Sequence, residues 1–104
     1  MPAAARRLSG LKPVTLEKLT LNNSTASGLN STSQTGSVIT FSVETTDVRL
    51  RDDGTAPTNT TGVLFAAGVG PYYYTGDLAN VQWARAGASG TSTVTVIAYT
   101  QPGD

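Results

Sequence analysis

The densest charge in the 104-residue chain lies in Arg49-Leu50-Arg51-Asp52-Asp53-Gly54-Thr55. Two chemistries are open to such a cluster. Asp52 and Asp53, with Asp47 or Asp77, could supply oxygen ligands to a hard cation. Calcium loops, however, need several carboxylates at fixed spacing ending in a bidentate Glu, and that pattern is not present. Two of Asp47, Asp52, Asp53 and Asp77 could also act as a paired-carboxylate hydrolase. Adjacent carboxylates at positions 52 and 53 point apart on an extended chain, which argues against this use. The plainer reading is a strand-to-loop corner, with Asp-Gly supplying the turn and the arginines pairing with carboxylates within or between subunits. Nucleophilic chemistry fares worse. Serine and threonine are abundant, but the chain has no histidine to activate them and no cysteine. Lys12 and Lys18 remain formal bases only. These residues predict a protein that is not an enzyme and carries no cofactor or metal.

Aromatic side chains offer a second kind of chemistry. Tyr72, Tyr73, Tyr74, Trp83 and Tyr99 could form a stacking platform for sugars or bases. Alternatively, Trp83 and some of the tyrosines fill a core or an interface with their polar tips bonded at its edge. The Gly68-x-Gly70 pair, followed by Pro71, lacks the helix that a phosphate cradle requires.

The elements that must position these residues read as strands. Ile39, Phe41 and Val43 alternate with Thr40, Ser42 and Glu44, and Val94, Val96 and Ala98 alternate with Thr93, Thr95, Ile97 and Tyr99. Such alternation marks half-buried strands. A slip of phase near Thr45 and Thr46 predicts a bulge or bend before Val48 and Leu50, which again point inward. Another slip, between Leu16 and Leu19, predicts a second bulge or a break into two short strands. Residues 22–36 form a polar tract, expected to be a long loop with a short edge strand near Ala26–Leu29. Val63–Phe65 and Tyr72–Tyr74 add short strands, and turn signals recur about every ten residues. The expectation is one all-β domain over residues 14–104, an antiparallel β-sandwich or barrel for which a jelly roll is one natural form. Residues 1–13 are expected to form an N-terminal arm.

Composition narrows the partners. Seven basic residues balance seven acidic ones, and charged residues are only 13% of the chain. That gives no basic face for nucleic acid and little self-repulsion between subunits. No apolar run reaches signal-peptide or membrane-helix length. The chain is therefore expected to be soluble and made in a reducing compartment. The Asn-x-Ser/Thr matches at Asn22, Asn23, Asn30 and Asn59 follow from composition.

Residues 48–58 (VRLRDDGTAPT), Gly62-Val63-Leu64 and residues 74–82 (YTGDLANVQ) resemble the signature of a group of small phage virion structural proteins, over roughly residues 38–99. Within that group the resemblance implies a capsid decoration (cement) protein. Such a protein is short, all-β and often trimeric, and it binds the major capsid protein. It would be made in the host cytoplasm and located on the capsid surface. A tail or head–tail component and a carbohydrate-binding virion module are the alternatives. The expected interface residues are Arg6, Arg7 and Leu8 in the arm, Arg49, Arg51, Asp52 and Asp53 at the charged corner, and Tyr72, Tyr73 and Tyr74.

Overall fold

A computed structural model describes residues 11–22, 25–87 and 89–100. Their strands are β1 (Lys12–Leu21), β2 (Ser27–Gly28), β3 (Val38–Glu44), β4 (Val48–Arg51), β5 (Val63–Phe65), β6 (Tyr72–Tyr74), β7 (Gln82–Arg85) and β8 (Ser92–Thr100). A single 3₁₀ turn, Ser33–Thr35, lies between β2 and β3. Among the described residues every strand pairing is antiparallel. The strands form two four-stranded sheets, one ordered β1-β8-β3-β6 and the other β2-β7-β4-β5.

That order has a simple origin. The pairs β1–β8, β2–β7, β3–β6 and β4–β5 are those of one long ribbon whose tip is the β4–β5 loop. Rolling the ribbon over itself adds β3–β8 and β4–β7 and sends alternate pairs to opposite sheets. This is the jelly-roll arrangement, and it matches the fold expected from the alternation.

The two inner faces bury Leu19, Leu21, Ile39, Phe41, Val43, Val48, Leu50, Trp83, Val94, Val96 and Ala98 in one core. Phe41 sits at its centre, with ring centroids 5.2 Å from Phe65, 5.3 Å from Tyr72 and 5.4 Å from Trp83. Aromatic pairs in such geometry add about 0.5–1.5 kcal/mol each beyond their buried area.

The phase slip after β3 is a real corner. Thr45 has a φ of 81°, and the buried Ser92 hydroxyl lies 2.5 Å from the Thr46 carbonyl and 3.2 Å from that of Glu44. The slip in β1 has a different cause from the expected one. Its register shift falls between Pro13 and Thr15, not between Leu16 and Leu19. Leu16 faces outward, and Glu17 takes the inward position. That inward carboxylate is satisfied by the Asn30 amide at 3.1 Å and the Ser33 hydroxyl at 2.8 Å. β1 also begins at Lys12, so it takes in the last two residues assigned to the arm.

Candidate functional site

The charged corner consists of internal bonds. Arg51 Nε and Nη2 donate to the two oxygens of Asp53 at 3.0 and 2.5 Å. Arg51 is the main reason that Asp53 is held down at about 2. The neighbouring carboxylate points elsewhere. The Tyr74 hydroxyl on β6 donates to Asp52 Oδ2, at the end of β4. This bond ties one sheet to the other. Burial, with help from Asp52, pushes the Tyr74 phenol well above its usual value. Gly76 completes the contact, because a Cβ there would collide with the Tyr74 ring hydroxyl and come within 2.9 Å of Asp52 Oδ2.

Arg49 departs from the expected carboxylate pairing. Its Nε donates to the Asn59 carbonyl at 3.3 Å and its Nη1 to that of Gly62 at 3.0 Å. By register Arg49 and Ala84 face away from the core, yet Ala84 is fully buried. The cover is the β4–β5 loop, which folds back over this outer face. Its Pro57 is fully buried, and its Asn59 carbonyl accepts from the Gly87 amide as well. The remaining carboxylates also serve turns. Asp47 Oδ1 accepts from Ala67 N at 2.8 Å, and Asp77 accepts from Ala79 N at 3.0 Å and Asn80 Nδ2 at 2.8 Å. Among the described residues no group of three or more candidate ligands could hold a metal.

The tyrosines divide by register. Tyr72 packs on Phe41 and Phe65 and donates to the Ala66 carbonyl at 3.0 Å. Tyr74 is spent on Asp52, and of the three tyrosines on β6 only Tyr73 projects outward. Trp83 is fully buried, so it cannot join an exposed aromatic row. Arg6, Arg7 and Leu8 lie outside the described residues.

What the strands do assemble is a continuous outer surface. On the outer face of the first sheet, register aligns Leu16, Ile97, Thr40 and Tyr73 in one row across all four strands. Lys18, Thr95 and Ser42 make the next row, then Thr20, Thr93 and Glu44. Leu16 and Tyr73, at the row's two ends, are 62% and 64% exposed. The surface is therefore apolar along one row and hydroxyl-rich beside it, with Lys18 and Glu44 its charged members in these rows. Alternation in the sequence gives Ile97 and Thr40 this face. The pairing of Leu16 and Tyr73 with them depends on strand order, which local pattern does not encode. No protein-family model, curated protein or solved structure matches the chain.

Proposed function

We propose that this chain is a non-enzymatic virion structural protein, a capsid decoration protein that binds and stabilises the lattice of the major capsid protein. The observation that carries the binding role is the outer face of the first sheet, with its Leu16–Ile97–Thr40–Tyr73 row. A broad, weakly charged face suits burial by many small contacts and suits neither a polyanion nor a small polar substrate. The candidate carboxylates support the non-enzymatic reading, since Asp47, Asp52, Asp53 and Asp77 are each engaged in fixing a turn or joining sheets. The phage setting comes from the sequence resemblance. Its segments meet in space, with Asp52 of the first bonded to Tyr74 of the last, so the signature describes how the ribbon is fastened.

The test is the copy number per purified virion, measured by quantitative mass spectrometry against the major capsid subunit. Hundreds of copies in a fixed lattice ratio are expected. A dozen or fewer would assign the protein to the neck or tail, and none would overturn the virion reading.

A further inference from the structure

Aspartate followed by glycine is a reactive pair, because glycine has no Cβ to shield its amide nitrogen. Of the aspartates and asparagines in the chain, Asp53 alone is followed by glycine. Attack by the Gly54 amide nitrogen on Cγ of a protonated Asp53 forms a new C–N bond. The amide proton and the carboxyl hydroxyl leave as water, and a five-membered succinimide results. Water then adds at the Asp53 main-chain carbonyl carbon and breaks its bond to the Gly54 nitrogen, which takes up the proton. The main chain now runs through Cβ and Cγ as isoaspartate, longer by a methylene and equal in mass. Addition at Cγ instead regenerates aspartate.

The corner leaves this reaction sterically open. Gly54 has a φ of 87°, and a Cβ built on it would meet nothing within 4 Å. The Asp53 side chain is 56% exposed. What opposes the reaction is the way the carboxylate is held. Its Oδ1 accepts from Arg51 Nε at 3.0 Å and from the Thr55 amide at 3.3 Å, and its Oδ2 accepts from Arg51 Nη2 at 2.5 Å. Loss of water needs one of these oxygens protonated, and the guanidinium favours the ionised form. The fork also fixes the plane of the carboxylate, while the Thr55 amide draws it past Gly54 to the next peptide. Asp52 is turned to Tyr74, which leaves the fork to Asp53.

We propose that Asp53–Gly54 is a latent isoaspartate site, kept unreacted in the folded chain by the Arg51 fork. Arg51 then has a protective role separate from folding. An exposed ion pair adds little to stability, yet this one governs the lifetime of the peptide link beside it. The product moves the charge from side chain to main chain and inserts a methylene next to Asp52. It therefore loosens the strand end that the Tyr74 bond fastens. The inference stands on the corner alone and does not depend on the virion reading.

The full chain, kept folded for weeks in warm neutral buffer, tests it. Isoaspartate is read by methyl transfer from labelled S-adenosylmethionine with an isoaspartyl methyltransferase, and its position by peptide mapping with electron-transfer fragmentation. At residue 53 it should accumulate about tenfold or more faster in Arg51→Gln than in wild type, the effect of one unit of carboxyl acidity. Arg51→Lys, which keeps the charge without the fork, should fall between them. In denaturing urea wild type and Arg51→Gln should converge, because the fork exists only in the folded chain. Concentrated salt screens an exposed pair and should speed the folded wild type without any substitution. Near-ultraviolet circular dichroism from the buried Trp83 confirms that each protein is folded. Equal rates in the folded proteins, a difference that persists in urea, or isoaspartate formed elsewhere than at Asp53 would overturn the proposal.

Discussion

At the scale of single residues, fastening accounts for most of the polar chemistry. The Tyr74–Asp52 bond illustrates the sign of the resulting pH dependence. The folded-state value of Tyr74 is raised, so its contribution is complete below the ordinary tyrosine range near 10. It is lost as pH rises beyond that range toward the folded value. Wild-type protein should therefore lose stability above about pH 10, and Tyr74→Phe should flatten that decline while lowering stability at neutral pH by about 0.5–3 kcal/mol. Thermal melts of both proteins from pH 7 to pH 11 would show it; parallel curves would refute the role. Gly76→Ala attacks the same contact sterically. Because the added Cβ meets the Tyr74 hydroxyl and the Asp52 carboxylate, it should cost about 1–3 kcal/mol in a urea titration. Thr45 makes the opposite case. Its left-handed φ of 81° strains a β-branched residue by about 1–2 kcal/mol, more than the roughly 0.4–1 kcal/mol of chain entropy that glycine brings. Thr45→Gly should raise stability by a fraction of a kilocalorie, up to about 1 kcal/mol, visible as a higher urea midpoint.

At the scale of elements, the β4–β5 loop is the ribbon's tip and the least obvious structural member. It is rich in Thr, Gly and Asp, as mobile loops are, yet Pro57 is buried and two carbonyls are held by Arg49. Arg49→Ala should release this lid from Ala84 and cost about 1.5–3 kcal/mol, the worth of bonds to a charged group. Hydrogen exchange should then accelerate across residues 54–62 while β8 amides stay protected. Uniform acceleration would mean that Arg49 supports the whole sandwich instead. The sequence made β3 and β8 legible because they are central strands with one buried face each. Their neighbours oblige a strict period of two. It also located the corner at Thr45, since an obligatory face cannot change sides without a break. β1 was less transparent. An inward Glu17 imitates a change of phase, and its true partners, Asn30 and Ser33, lie across the polar tract. Arg49 was misread for a similar reason, since a guanidinium beside two aspartates suggests ion pairing while the loop carbonyls that bind it are invisible locally. The buried bonding of Ser92 and Arg85 has no signature in the sequence. A buried hydroxyl at a strand start, or an Arg whose Nη1 holds the Asn22 and Gly90 carbonyls, carries no periodic signal.

At the scale of the whole molecule, the rolled ribbon places the first and last strands side by side, with Lys12 opposite Thr100 and Leu21 opposite Ser92. The domain is closed by its own ends, and this governs where the chain can be shortened. Removing residues 1–10 leaves all eight described strands whole, and a thermal melt reads whether stability is kept. Removing residues 1–13 strips Lys12 and Pro13 from their pairing with Thr100 and Tyr99 and should lower it. On the proposed function, Arg6, Arg7 and Leu8 belong to an arm that reaches a neighbouring subunit, so the shorter deletion should weaken attachment to capsids. Binding of the 1–10 deletion to undecorated capsids, measured by co-sedimentation, separates arm from face. Attachment as tight as wild type would remove the arm from the interface and leave the load on the Leu16–Ile97–Thr40–Tyr73 face. Weakened attachment with an intact melt would mean that the two surfaces act together. The broad face would supply area, and the arm would lengthen the lifetime of each contact, since tethered sites reinforce one another without any new affinity in either.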